Sequence, residues 1–463
     1  MTSVENVAAG RVRSAPLRRL RHPQEESPLW GLACGVVGAV LAVALSLPLL
    51  ALLALLLPPT LLARAAMLRA WSHAVLVFDA GLDERHLREL LLARVVPRYP
   101  RLACRLARLT PASSHHVWLP ASPLHIEQHV FRGQPGCSES ELQRYVERLL
   151  AQGLSTDKPL WEVHVLPRYG RHGDTAAVLR VHQSVADGMA LVRVLCHALA
   201  DSRVLHKPHF GGLTFSLNAV RALLVGPAML LTWLLLAVRA PRRCILATTA
   251  PEGTPSEAGY SVAWSAAIAL HKVARIKHVT RSTVNEVLLA ALAGAVRALL
   301  QGCGVLMPVD LRGDALSPEA HPHLGCKMAP VVVSLPAAVE GAVPRLWATR
   351  RVMAELRASA APAVAYLGAA ALMAVLPARW ARRVLQTLAG PASLQFASLP
   401  GPSATVLVGG HPLKCVYPLL PTPEAGPGLA VSVFTYADQV YVSVLAEKAQ
   451  HPSARQLLAL VHH

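Results

Sequence analysis

Residues 180–190 read "RVHQSVADGMA". The run ahead of them, "AAVLRVHQ", reads as an apolar strand, and "MALVRVLCHALAD" (189–201) behind them has helical spacing. The turn between holds His182, Gln183, Asp187 and Gly188. A lone histidine after an apolar strand is more often a satisfied core residue. Its place ahead of Asp187–Gly188 gives His182 a functional reading.

Strand and helix signals alternate on both sides of this turn. "HAVLVFDAG" (73–81) and "WEVHVLPR" read as strands, and "LHIEQHVF" (124–131) alternates with period two. "DERHLRELLLARVV" (83–96) has an acidic start and helical spacing of Leu87, Leu90, Leu91 and Val95. "SESELQRYVERLLAQ" (138–152) opens with Ser138 and has Glu141 three residues on, the pattern of a capping box. Further along, "STVNEVLLAALAGAVRALLQ" (282–301) predicts a long helix, and "APVVVSLP" a strand. "LAVSVFTYADQVYVSVLAE" predicts a hairpin turning at Ala437–Asp438. The pattern is an α/β chain with two strand-containing halves, split near residues 205–255.

The chain has 463 residues, room for two domains or one bilobal unit. Apolar residues make up 53%, more than in an ordinary soluble enzyme and less than in a many-span transporter. The formal net charge is +18, and nearly all of the basic charge is arginine, with only seven lysines. No zinc-finger spacing or RNA-binding aromatic signature accompanies it, so nucleic acid is not an expected partner. An anionic membrane surface and a phosphate-bearing substrate fit better. The eight cysteines have no C-x-x-C spacing, so neither a metal site nor a disulfide framework is expected.

Residues 1–28 form a basic polar tail. Leu29–Leu57 then runs for 29 residues without a charge, where a bilayer core needs about 20; this predicts a membrane anchor. The arginines ahead of it place the tail on the cytosolic side. Pro48 would let the segment bend back as a hairpin, keeping both flanks on that side. A second uncharged run, Ala222–Val238, is flanked by Arg221 and Arg239 and predicts an interfacial helix. A third, Ala358–Ala378, is alanine-rich and predicts a buried helix.

Six short segments in order carry a family likeness. "DKPLWEVHV" (157–165) precedes "HQSVADG" (182–188), which resembles an H-H-x-x-x-D-G motif. "STVNEVLLAALAGAVRALL" resembles a T-V-N-D helix, with Glu286 for Asp; "MPVDLRGD" (307–314) resembles a P-V-x-x-R stretch. "LGCKMAPVVVSLP" resembles an L-G-N segment with Cys326 for Asn, and "FASLPGP" (396–402) an S-N-V-P-G-P loop with Ser398 for Asn. Together these resemble the wax ester synthase/diacylglycerol acyltransferase family, within the acyl-CoA-dependent acyltransferases of chloramphenicol acetyltransferase-like fold.

The resemblance implies a two-lobed α/β fold behind an N-terminal membrane anchor. The N-terminal lobe would span 70–205, a linker with the apolar interfacial helix 206–255, and the C-terminal lobe 256–463. It implies an O-acyltransferase that moves a long-chain acyl group from acyl-CoA to diacylglycerol or a fatty alcohol, giving triacylglycerol or wax ester. Its partners would be acyl-CoA, a lipid alcohol and a membrane, at the endoplasmic reticulum or a lipid droplet. No metal or redox cofactor is implied.

Such a transfer needs a base for the alcohol, stabilisation of the oxyanion, and alignment of both substrates. The family's second motif histidine is its base, and here that position is Gln183. A glutamine amide is not a general base near neutral pH. His182 takes the first histidine position, Asp187 and Gly188 the last two. Asp187 would hold the local geometry, paired with Arg312, and Gly188 would allow the tight entry into the helix. Asn285 would face the site or pack its helix. Three readings stay open. One is an enzyme whose base is His182 or another histidine; another is an impaired relative that binds lipid or acyl-CoA as a scaffold. The third is a structural membrane protein.

Overall fold

The computed structural model describes residues 71–108, 116–202 without Ser122, 259–297, 303–311, 324–375, 378–389, 392–420 and 427–448, with six isolated residues besides. The tail and the anchor expected over 29–57 lie outside these, as do Arg312 and all of 206–255 except Met229 and Trp233.

Two mixed sheets form the framework. The first has the order β12-β13-β1-β6-β5-β4. Its strands are β1 (Trp71–Phe78), β4 (Val130–Arg132), β5 (Trp161–Tyr169), β6 (Asp174–His182), β12 (Leu407–Val408) and β13 (His411–Leu419). The second runs β10-β9-β11-β14-β15-β7. It comprises β7 (Tyr260–Trp264), β9 (Cys303–Asp310), β10 (Met328–Leu335), β11 (Leu394–Pro400), β14 (Leu429–Tyr436) and β15 (Gln439–Glu447). A two-residue strand, β8 (Ile268–Ala269), pairs with β15, and β2 (Cys104–Arg108) forms a separate ribbon with β3 (His116–Pro120).

Chain order and spatial order part company at β12–β13. This late hairpin joins the first sheet, with β13 antiparallel to β1 from His73↔Leu419 to Phe78↔Leu413. Its turn, Gly409–Gly410, has positive φ at both residues, the conformation a two-residue hairpin demands. Asp201 accepts from both turn amides, at 3.0 and 2.7 Å, and from Arg94 at 2.6 Å.

The helices follow their end signals. α1 (Glu84–Leu90) is capped by Asp83, whose carboxylate accepts from His86 N at 2.8 Å. It continues into a wider turn over Leu91–Val95. α2 (Glu139–Ala151) has the Ser138–Glu141 capping box. α3 (Gly188–Val194) likewise widens over Leu195–Leu199. In the second half come α4 (Leu270–Thr280), α5 (Val284–Arg297), α6 (Ala342–Ala358), α7 (Ala361–Val375) and α8 (Ala378–Ala389). The α5 N-terminus carries its own box: Thr283 N donates to Glu286 at 2.8 Å and Glu286 N to Thr283 at 3.2 Å.

Among the described residues no single helix is long and apolar enough to cross a bilayer. The third apolar run is a helix, α7, set at 55° to α6. Its first turns are buried, with Ala360 and Val364 against Met229 and Trp233, but Leu367 is exposed. The alternation over 124–131 yields only the short β4. Ile126–Gln128 form a single tight turn instead, because β5 offers a partner only from Val130 onward. The hairpin at Ala437–Asp438 forms as read, with positive φ at both residues and Tyr436 opposite Gln439.

Candidate active site

The turn from β6 to α3 is built from short-range bonds. His182 N donates to Leu160 O at 3.0 Å, and Val185 N returns to His182 O at 2.8 Å. The His182 ring is 2% exposed, with Trp71 edge-on at 4.5 Å between centroids. The Ser184 backbone N–H reaches His182 Nδ1 at 3.1 Å. A backbone N–H can only donate, so Nδ1 is the acceptor and the proton of a neutral ring sits on Nε2. The Ser184 hydroxyl must then donate to the same nitrogen, at 2.7 Å. The Nδ1 lone pair is thus doubly engaged within the turn. Gln183 follows on the turn and is half-buried.

Asp187 is 3% exposed and caps α3. Its Oδ1 accepts from Ala190 N at 2.9 Å, inside the same lobe. Its Oδ2 accepts from Lys327 N at 2.9 Å, on the approach to β10 in the second half. Burying a carboxylate without hydrogen-bond partners is costly, and here two backbone amides donate to it from opposite sides of a seam. Arg101 Nη1 donates to Leu324 O at 3.0 Å, holding the other end of the same L-G-C-K loop. Arg193, on α3, meets Asp310 at the end of β9 at 3.5 Å.

Gly188 does not have positive φ, so conformational freedom is not why glycine stands there. A Cβ at this position would lie 3.1 Å from a Leu399 methyl of β11 and 3.6 Å from Leu420. The need is close approach. The next residue along β11, Ser398, donates its hydroxyl to Asn285 Oδ1 at 2.7 Å. Asn285 is exposed on the first turn of α5. Its neighbour Glu286 is buried and accepts from Arg357 at 2.6 Å.

Beneath His182 the first sheet carries a buried charged ladder. Arg180 lies opposite both His73 and Glu162. It donates to Glu162 at 2.7 Å and to Leu149 O at 3.0 Å. Burial alone would raise the Glu162 carboxyl; bonds from His164 and Lys158 and the Arg180 charge outweigh it and hold it at about 2. His73 is pushed down to about 3, by burial first and the Arg180 charge second.

The fold therefore brings His182, Gln183, Asp187 and Gly188 to one turn and pairs Asn285 with Ser398 across β11 and α5. The expected partner of Asp187, Arg312, falls outside the described residues; the partner seen is the Lys327 backbone. Sequence reading missed Ser184, Trp71, Lys327 and the Arg193–Asp310 pair. Only Ser184 left a local signal, a hydroxyl two residues beyond a histidine.

Two family models match. Residues 74–210 fit the wax ester synthase/diacylglycerol acyltransferase catalytic domain, and residues 324–463 the WS/DGAT C-terminal domain. The chain belongs to the wax ester synthase/diacylglycerol acyltransferase family. A Mycobacterium tuberculosis protein named as a diacylglycerol O-acyltransferase is 28% identical over 243 residues, and the match spans about half of each chain, 48%. A Mycobacterium bovis protein of the same name is 25% identical over 401 residues, covering 77% of this chain and 78% of that one. The wax ester synthase/diacylglycerol acyltransferase of Marinobacter aquaeolei VT8 shares the fold: TM-score 0.56, 20% identity, 85% of this chain and 92% of that chain. The two-lobed α/β architecture is the chloramphenicol acetyltransferase-like one that this acyltransferase family uses.

Proposed function

We propose that this protein transfers a long-chain acyl group from acyl-CoA to the hydroxyl of diacylglycerol or a fatty alcohol. It would do so at the endoplasmic reticulum membrane or a lipid droplet, held there by residues 29–57. The observation that carries the reading is the seam at Asp187. The motif's aspartate ties the α3 N-terminus to the 324–327 loop through two backbone bonds, so the turn bearing His182 and Gln183 is fixed against the opposite lobe. That fixity is what alignment of two substrates requires, and alignment alone supplies about 7–11 kcal/mol of such a barrier.

The alcohol oxygen attacks the thioester carbonyl, the C–S bond breaks, and the coenzyme leaves as its thiol. In this chain the hydroxyl proton has no histidine to receive it at position 183. The Gln183 amide can donate to a carbonyl oxygen and accept from a hydroxyl without taking the proton. His182 does not substitute through Nδ1, which Ser184 already occupies. The proton then travels by solvent or directly to the departing thiolate, and turnover is slow.

A second reading rests on that same occupied nitrogen: the protein binds acyl-CoA or neutral lipid without turning it over. Labelled acyl-CoA with each acceptor, in membranes carrying the full chain, separates the two. Slow transfer by the natural chain, raised about 10²-fold or more in Gln183→His, supports the enzyme reading. Binding without transfer in both forms supports the second.

A further inference from the structure

Exposed large apolar side chains gather on the helical layer of the second half. On α4 they are Ile276 and Val279, the latter 80% exposed; on α6 they are Val343 and Trp347, the latter 62% exposed. Single exposed apolar residues need no explanation, but a contiguous group does. The spacing makes each helix's share contiguous. Lys272, Arg275, Ile276 and Val279 are all exposed and fall three and four apart, so they line one face of α4. Val343, Trp347, Arg350, Arg351 and Ala354 do the same on α6. The opposite faces, at Val273 on α4 and at Leu346 and Met353 on α6, are buried in the second core.

One bond links the two helices at the end of the α4 stripe. Arg350 Nη1, on the α6 stripe, donates to Thr280 O at the C-terminus of α4, at 3.3 Å. The charge of the two helices is one-sided. α4 contains Lys272, Arg275 and Lys277 and no acid, Arg281 follows it, and the only acid on α6 is Glu355. Arginine and lysine beside exposed tryptophan and aliphatic side chains match the headgroup zone of an anionic bilayer. Phosphates meet the cations there, and the apolar tips reach the acyl boundary.

We propose that the α4–α6 face is an interfacial docking surface for anionic phospholipid, separate from the segment at 29–57. Charge complementarity selects this occupant. A second copy of the chain would bring the same uncompensated cations against themselves. The docking is independent of the acyl-transfer reading, since nothing in its test measures turnover.

The test uses the full chain reconstituted into vesicles made with brominated lipid, either anionic phosphatidylglycerol or neutral phosphatidylcholine. Bromine quenches tryptophans that reach the acyl boundary. Anionic vesicles should quench more than neutral ones. Trp347→Phe should cut that difference by about twofold or more, and so should the double variant Lys272→Glu/Arg275→Glu, which leaves every tryptophan in place. Both variants change exposed side chains, and unchanged thermal unfolding in detergent verifies that they fold. Equal quenching in the two lipids overturns the proposal, as does an undiminished difference in Trp347→Phe. Shielding of Trp347 from acrylamide in detergent that grows with protein concentration also overturns it, in favour of a second copy.

Discussion

Replacing Asp187 by asparagine isolates the seam. The side chain keeps its shape, and Asn Oδ1 still caps α3 by accepting from Ala190 N, so helix capping is retained. The other oxygen becomes an NH2 group that faces the Lys327 N–H, a donor against a donor. Both lie where Asp187 is 3% exposed, so water does not replace the 2.9 Å bond. A buried donor stripped of its acceptor costs about 1–3 kcal/mol, and that is the expected loss in Asp187→Asn. Asp187→Ala also gives up the cap, roughly 1 kcal/mol more, for a total of about 2–4 kcal/mol. Urea unfolding in mild detergent measures both losses, and hydrogen exchange at the Lys327 amide locates them. Lys327→Ala should be near neutral, since the contact is made by backbone. A stable Asp187→Asn protein with an unchanged exchange rate at amide 327 would refute the reasoning.

Gly188→Ala should destabilise by about 1–3 kcal/mol through overpacking against Leu399, and trimming Leu399 to alanine in the same chain should recover part of the loss; thermal unfolding of the pair tests this. Glu286→Gln should cost about 1–2 kcal/mol, because a charged bond to Arg357 is weakened while the capping geometry survives, and double-mutant analysis with Arg357→Ala should show the two losses are not additive. Stability should fall as pH drops from about 6.5 toward 3. His73 is held neutral in the fold, at about 3, while the unfolded chain takes up its proton near 6.5, so acid favours unfolding across that window. Glu162 acts in the same direction lower down, between its ordinary 4.5 and about 2; His73→Phe should therefore flatten urea midpoints between pH 6.5 and 4.5 and leave the steeper fall below that.

Local signals were legible because their partners are a few residues away. The Ser138–Glu141 box and the Ala437–Asp438 turn each follow from side-chain and backbone chemistry within four residues. The strand that ends at His182 and the helix that starts at Gly188 are of the same kind. The 124–131 stretch shows the limit. Its alternation correctly puts Ile126 and Val130 inside, but a strand also needs a neighbour, and β5 supplies one for Val130–Arg132 alone. Asp187 shows a second limit. One of its long-range partners is the backbone amide of Lys327, a group that every residue but proline possesses and no sequence pattern marks. The doubly engaged Nδ1 of His182 depends on the fold of one turn, which the order of letters only hints at through Ser184.

The late hairpin β12–β13 has a consequence for how this chain is made. During synthesis the first sheet stays open on its β1 side until residue 419 has left the ribosome. Until then Trp71–Phe78 presents a free, largely apolar edge, the kind of surface that recruits other strands. Chaperone demand should peak while the middle of the chain is emerging, and messages truncated between residues 300 and 400 should yield aggregates rather than a folded first lobe. Fragments divided near residue 230 should recover their structure only when expressed together.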